Sequence, residues 1–233
     1  LRAPRGTAFR IIEEDSVRKD LGRAYYDENY GDYEARTTRA KLAFYLALVR
    51  KWVPEGGRLF EMGVGQGQFL QLAAAHYQAA GCDINSFGVA QTAARVSAAD
   101  VILGSHEALA NRPPLDAVVA WDVLEHLPDL DTALAAVQRS LAPAGKLIGV
   151  VPVYDGPLGW LVRRLDKDPT HVFKEGRHWW IDKLASQGFE LLECGGILRK
   201  LVARSYYLHL TCPQSVLRST GVAIYFVARR NDS

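Results

Sequence analysis

The sequence predicts an α/β fold, a mostly parallel sheet flanked by helices, and three observations carry this. Apolar strand-like runs alternate with helix-like runs from Arg58 onward. The runs LDAVVAW and GKLIGVV are almost continuously apolar, as in strands covered on both faces. A glycine-rich turn, Gly63-Val-Gly65-Gln-Gly67, joins the first of these strands to the helix behind it.

The elements follow in order. Residues 1–33 are polar and irregular, with tyrosines at 25, 26, 30 and 33. Residues 34–53 read as a helix, because Leu42, Tyr45, Leu46, Val49 and Trp52 recur at helical spacing, and Pro54 with Gly56-Gly57 ends it. RLFEM is then a strand and QGQFLQLAAAHY a helix. YQAAGCD is a strand, FGVAQTAARVSA a helix, and DVIL and LDAVVAW two more strands. LDTALAAVQRSLA is a helix and GKLIGVV a fifth strand. A long connection, YDGPLGWLVRRLDKDPTHVFKEG, follows; such segments are often lids or binding elements. RHWWIDKLASQ is a helix, and FELLECGGI and GVAIYFVARR are two closing strands. The stretch RKLVARSYYLHLTCPQSVLRST between them fits neither period. The organisation expected is an N-terminal helical cap over 1–53 and a catalytic domain over 54–233, with 154–175 as a lid or substrate-binding insert.

Composition narrows the function. The 233 residues include 48% hydrophobic and 23% charged, ordinary for a globular protein. A net charge of +2 is too mild for a nucleic-acid footprint, so no nucleic-acid partner is expected. No apolar run reaches the ~18 residues of a membrane span. The segment LRAPRGTAFRIIEEDS has no apolar signal-peptide core. Cys82, Cys194 and Cys212 contain no CxxC pair, and read as reduced thiols of a cytoplasmic protein.

The glycine loop lies between a strand and a helix, where glycines let backbone turn tightly and approach a ligand. A dinucleotide fingerprint, G-x-G-x-x-G, requires its third glycine at position 68, but that residue is Gln68 and the glycine is Gly67. No Lys followed by Ser or Thr is present, so a phosphate-loop NTPase is excluded. Glu61 ahead of the loop repels phosphate and suits a cationic ligand.

Glu61-x-Gly63-x-Gly65-x-Gly67 resembles the first motif of the class I S-adenosylmethionine-dependent methyltransferases. Gly81-Cys-Asp83-Ile84-Asn85 resembles the end of that family's second strand, and Gly104-Ser105-His106-Glu107 the end of its third. LDAVVAWDVLEHLPDLDTALAAVQRSLAPAGKLIGVVP is similar to the region of its fourth and fifth strands. The match is good over 55–153, with Gly188-Phe189 a weaker extension. The chain departs where the family commonly has an acid near Ser105 and a glycine at Ala144.

The resemblance implies a Rossmann-like seven-stranded, mostly parallel sheet, with S-adenosylmethionine as cofactor. Glu61, Gly63, Gly65 and Gly67 are the implied loop. Glu61 either organises it or meets the cofactor's amino group. Asp83 is the implied ribose ligand, since a carboxylate accepts from two hydroxyls; the competing role is a helix N-cap, for which Asn85 or Ser86 is better placed. Ile84 is implied to stack on adenine, Ser105 and His106 to border it, and Trp121 and Asp122 to face the cofactor from the fourth strand. Tyr26 is implied to meet it from the N-terminal segment.

His171, in the insert, is the leading candidate base, with His126 second. Asp122, Glu125 and His126, at i, i+3 and i+4, also resemble the metal-associated pattern of ubiquinone-pathway O-methyltransferases; the expectation is that no metal is held. Trp160, Trp179 and Trp180 are expected to form an aromatic acceptor pocket with the N-terminal tyrosines, and Arg163, Arg164 and Lys167 to suit an anionic acceptor. The reaction expected is O-directed methylation of a small organic acceptor. The alternatives are a glycan or protein acceptor, and a catalytically silent cofactor-binding protein.

Overall fold

The computed structural model describes residues 10–11, 37–156, 159–166, 168–203, 206–211 and 221–231; side chains at 10–11, 200–203 and 206–211 are outside this description. The strands are β1 (Arg10–Ile11), β2 (Arg58–Met62), β3 (Gln78–Asp83), β4 (Asp100–Leu103), β5 (Leu115–Trp121), β6 (Leu141–Pro152), β7 (Phe189–Ala203), β8 (Tyr206–Thr211) and β9 (Ala223–Arg230). They form one sheet in the order β1-β4-β3-β2-β5-β6-β9-β7-β8. Seven of them, β4-β3-β2-β5-β6-β9-β7, are the predicted sheet. β2 to β6 pair in parallel, whereas β9 runs antiparallel between β6 and β7. The two-residue β1 adds to the β4 edge, and β8 pairs with the far end of β7. The segment that fits neither helical nor strand period thus includes the end of β7 and all of β8.

The helices are α1 (Arg39–Trp52), α2 (Gln68–Ala73), α3 (Ser86–Arg95), α4 (Leu130–Ser140), α5 (Gly159–Leu165) and α6 (Arg177–Ser186). Thr38 starts α1, its hydroxyl accepting from the Lys41 N–H at 3.2 Å, while Arg50 and Lys51 suit the negative end of the helix dipole. Asn85 caps α3 by accepting from the Gly88 N–H at 3.0 Å, as the sequence suggested.

Both sheet faces are covered. Leu130, Leu134 and Val137 of α4 and Trp180 and Leu184 of α6 pack on Phe60, Met62, Val118, Leu147 and Phe226. Tyr45, Leu48 and Val49 of α1 and Phe69 and Ala73 of α2 pack on Leu59, Val119, Ile148, Val150 and Tyr225. Successive strand residues feed opposite clusters, as the two-residue period of a strand requires. The described part of the N-terminal region, α1, is therefore a layer of the core. Its buried face is Tyr45, Leu48 and Val49, with Leu42, Leu46 and Trp52 at its edges.

Strand order reverses beside β2: the chain runs outward through β3 and β4, then returns to β5 on the other side. Ligands of open α/β sheets bind beyond the carboxyl ends of the strands at such a switch point. Glu61, Asp83 and Trp121 stand at those ends.

Candidate functional site

The glycine loop is built as the sequence requires. Gly63, Gly65 and Gly67 have φ of 74°, 52° and 78°, the left-handed region that favours glycine. A Cβ on Gly63 would lie 2.4 Å from Val123 Cγ2, so the loop rests directly on the turn after β5. Asp83 closes it from the neighbouring strand. Its carboxylate accepts from the Gly65 N–H at 2.8 Å and from the Asn85 N–H at 2.9 Å. Burial raises its pKa, opposed by bonds from the Asn85, Gly65 and Ile84 N–H groups. A carboxylate has about four acceptor sites, so Asp83 can hold the loop and still accept from a ligand hydroxyl.

Glu61 is 3% exposed, and its Oε2 has no hydrogen-bond partner among the described residues. Burial, and then the Asp83 charge, push its pKa well up. An unpartnered carboxyl beside a backbone cradle fits a cationic, hydroxyl-bearing ligand, because each of its costs is relieved by such a group. Ile84 is 37% exposed, so core packing does not explain it.

Other predicted positions are occupied differently. Ser105 opens a short 3-10 turn, and its carbonyl accepts from Cys82 Sγ at 3.3 Å. His106 is buried, its Nε2 3.6 Å from Asp129 Oδ2 at the start of α4. Trp121 stacks on Tyr45 with ring centroids 4.1 Å apart and meets the edge of Phe69, so its ring belongs to the helix-covered core. Asp122 has a left-handed φ of 58° that turns the chain after β5. Arg199 Nη1 lies 2.6 and 2.7 Å from its two oxygens, and Lys41 Nζ lies 3.4 Å away. Burial opposes ionisation of Asp122, but Arg199 and then Lys41 hold its pKa below the usual range. Its charge is therefore engaged by two cations rather than aimed with Glu125 and His126. Tyr26 lies outside the described residues.

The two candidate histidines meet. Their ring centroids are 4.6 Å apart, although His126 follows β5 and His171 lies in the insert. Two backbone bonds bring the segments together: the N–H groups of Val172 and Phe173 donate to the Glu125 carbonyl at 2.9 and 3.1 Å. The insert is shaped by consecutive side-chain turns, a habit of aspartate. Asp166 Oδ1 accepts from the Asp168 N–H, and Asp168 Oδ1 accepts from both the N–H and the hydroxyl of Thr170.

These bonds fix the tautomers. Thr170 spends its hydroxyl proton on Asp168, so it accepts from His126 Nδ1–H at 2.9 Å. Asp166 can only accept, so His171 Nδ1–H donates to it at 2.8 Å, and Tyr154 donates to the same oxygen at 2.5 Å. Burial opposes ionisation of Asp166, yet bonds from Tyr154, His171 and Lys174 hold its pKa far below the usual range. In the neutral rings Nε2 is thus the lone-pair nitrogen of both. Burial, and then the His171 charge, lower the His126 pKa.

Glu125 completes this end of the site. It is fully buried, and neither carboxylate oxygen has a partner from another described residue. Burial, and then Asp122, raise its pKa well above the carboxylate range. The sequence did not assign roles to Tyr154, Asp166, Thr170, Lys41 or Arg199. A tyrosine following β6 and the Asp-x-Asp-x-Thr-His spacing were the available signals for the first three; Arg199 had none.

Among the described residues the three tryptophans do not gather into one pocket, and the N-terminal tyrosines expected to join them lie outside the described residues. Trp180 is fully buried on the core face of α6, and Trp179 stacks on Phe173 at 5.3 Å. Trp160 on α5 is 67% exposed. Trp180 shares the inward stripe with Leu184, and Trp179 meets its ring edge to face at 5.1 Å, so these two tryptophans and Phe173 form one aromatic cluster. Among the described residues, no helix is long and apolar enough to cross a membrane.

A family profile described as a methyltransferase domain matches residues 30–193. No curated protein matches the sequence. Solved structures match throughout the fold. A Thermotoga maritima S-adenosylmethionine-dependent methyltransferase, described as a possible histamine N-methyltransferase, superposes with TM-score 0.64 at 18% identity, over 88% of this chain and 97% of that one. The N-methyltransferase NodS of Bradyrhizobium japonicum gives 0.59 at 16% identity, over 88% and 99%. The [4+2]-cyclase SpnF gives 0.60 at 19% identity, over 82% and 81%. Identities this low speak for the fold alone, whereas the profile covers most of the chain. The chain belongs to the methyltransferase-domain family, and its fold is that of the class I S-adenosylmethionine-dependent methyltransferases.

Proposed function

We propose that this protein binds S-adenosylmethionine through Glu61, the Gly63–Gly67 loop, Asp83 and Ile84, and methylates a small organic acceptor at oxygen. The supporting observation is the left-handed glycine loop closed by Asp83 beside the buried, unpartnered Glu61. When bound, this cofactor supplies a sulfonium methyl group that an acceptor oxygen takes by in-line displacement, the carbon–sulfur electron pair staying on sulfur. The backbone cradle and Asp83 orient the ligand, and Glu61 offers a carboxylate to its cationic end.

Acceptor activation falls to the His126–His171 pair, with His171 the leading group. Asp166 and Tyr154 hold its ring so that Nε2 presents a lone pair, and the acceptor proton is lost at this pair. The region 154–175 serves as the acceptor-binding insert, residues 1–53 contribute a cap anchored on the sheet through α1, and Tyr26 meets the cofactor. Ser105 and His106 border the adenine side through backbone. A cytoplasmic location is part of this reading.

The likeness to a [4+2]-cyclase keeps a second reading in view, a cofactor-binding protein of this fold without methyl transfer. Calorimetry with S-adenosylhomocysteine, followed by turnover of methyl-labelled cofactor against hydroxyl, amine and glycan acceptors, separates the two. Binding weakened by Asp83→Ala, with label appearing on a hydroxyl acceptor, supports the proposal. Binding indifferent to Asp83→Ala would defeat it. Binding without transfer to any acceptor would leave the silent reading standing.

A further inference from the structure

We infer that Glu125, His126 and His171 form a binding site for one divalent transition-metal cation, with zinc the best match. One ligand atom from each of the three lies within 4.8 Å of the other two. The trio differs from the pattern suggested along the helix turn, because Asp122 is held by Arg199 and Lys41, and His171 comes instead from the insert.

Three features make this more than a cluster. The Glu125 carboxyl is fully buried, and no other described residue bonds either oxygen. Such a group is costly unless something on its open side repays it, and a cation does. Both imidazoles carry Nδ1–H, fixed by Thr170 and Asp166, so their acceptor nitrogens are Nε2. Each imidazole thus has one lone pair to offer and Glu125 a carboxylate, from side chains close enough to share one ion. A second shell is also in place. Metal-ligating histidines commonly donate their other N–H to a carboxylate or hydroxyl that fixes ring orientation, as Asp166 and Thr170 do here.

The donor set selects the ion. Two imidazoles and one carboxylate suit zinc and its first-row neighbours over magnesium or calcium, which prefer oxygen. The same set occurs in catalytic zinc sites that leave a coordination position open. Ligands of a tetrahedral zinc site are roughly 3.4 Å apart, given metal distances near 2.1 Å, so modest side-chain rotations close this trio. Asp168 Oδ2, 3.8 Å from His171 Nε2, adds negative charge at the margin. Lys174 lies behind, paired with Asp166 at 2.9 Å.

The cation site stands on this geometry. Its chemical role rests on the reading of the fold as an O-methyltransferase. With the ion bound both imidazole lone pairs are spent on it, so the cation takes over acceptor activation from the imidazole base: an acceptor hydroxyl on the open position loses its proton more readily, as metal-bound water does, the proton leaving to solvent and the oxygen keeping the electron pair.

The test uses the tag-free full chain, stripped with chelator and dialysed. Zinc is titrated by calorimetry with metal analysis, and cobalt is titrated by its visible absorption. One equivalent of zinc, with cobalt bands of low-symmetry coordination, is the expected result. Glu125→Gln and His171→Ala should each weaken binding by about 100-fold or more, and Asp166→Asn by about 10–100-fold. Circular dichroism checks each variant, and His126→Gln replaces any that does not fold. Absence of saturable binding, or binding unchanged in folded variants, overturns the inference. S-adenosylhomocysteine titration of the stripped protein separates the two proposals. Cofactor binding without cation binding leaves the methyltransferase reading intact and sinks the metal site. Cation binding without cofactor binding does the reverse.

Discussion

Replacing Gly63 with alanine tests how the glycine loop is built. The substitution puts a Cβ on a residue at φ 74° and 2.4 Å from Val123 Cγ2. The left-handed conformation costs about 1–2 kcal/mol for a residue with a Cβ. Forcing a methyl against Val123 costs a further ~1–3 kcal/mol, since carbon atoms pack about 3.5–4 Å apart. The sum, about 2–5 kcal/mol, is a large share of a typical stability of about 5–15 kcal/mol. It corresponds to a fall in Tm of roughly 4–20 °C for a chain of this size. Urea unfolding followed by circular dichroism measures it. Val123→Ala in the same chain relieves only the steric part, so Gly63→Ala with Val123→Ala should be less destabilised than the sum of the singles by about 1–3 kcal/mol. Strict additivity, or an unchanged unfolding midpoint for Gly63→Ala, would refute this account of the loop resting on the turn after β5.

Three further outcomes are expected. Asp83→Asn, which loses an acceptor facing the Gly65 or Asn85 N–H, should weaken S-adenosylhomocysteine binding by about tenfold or more in calorimetry. Glu125 has its pKa raised by burial and Asp122, so its share of stability is full below the unfolded value near 4.5 and is lost as pH rises through the folded value. In chelator, Glu125→Gln should therefore gain Tm relative to wild type between pH 5 and pH 8; a constant difference would contradict it. Asp155 behaves oppositely, since bonds from Arg177 overcome burial and lower its pKa, so its contribution is present above about pH 3.8 and fades on acidification. Arg177→Ala should cost about 2–4 kcal/mol at pH 7, less than a fully buried pair because the Asp155 side chain is 31% exposed, and less still near pH 2.

The parts of the molecule readable from sequence share a physical cause. LDAVVAW and GKLIGVV are apolar because both faces are covered, and the observed strands begin or end close to the predicted limits. The helix over QGQFLQLAAAHY is shorter than its pattern, Gln68–Ala73, because Gly67 stays left-handed at its start and the chain turns after Ala74. Trp121, Trp180 and His106 were read for their chemistry; Trp180 and His106 are buried, and Trp121 is partly buried with its ring stacked on Tyr45. Side-chain type does not report which face of a sheet or helix a residue occupies; the neighbours across the layer decide that.

The sequence by itself determined the alternating fold, the glycine loop and the Asp83 position. Each depends on period, turn chemistry or short spacing, and those are properties of adjacent residues. Only the tertiary structure decided which groups gather around Glu125 and the two histidines. Arg199 reaches Asp122 across 77 positions, and Thr170 reaches His126 across 44. These meetings depend on strand order and on the Val172 and Phe173 N–H groups finding the Glu125 carbonyl. Backbone pairing between distant segments draws the two histidines and the buried glutamate together.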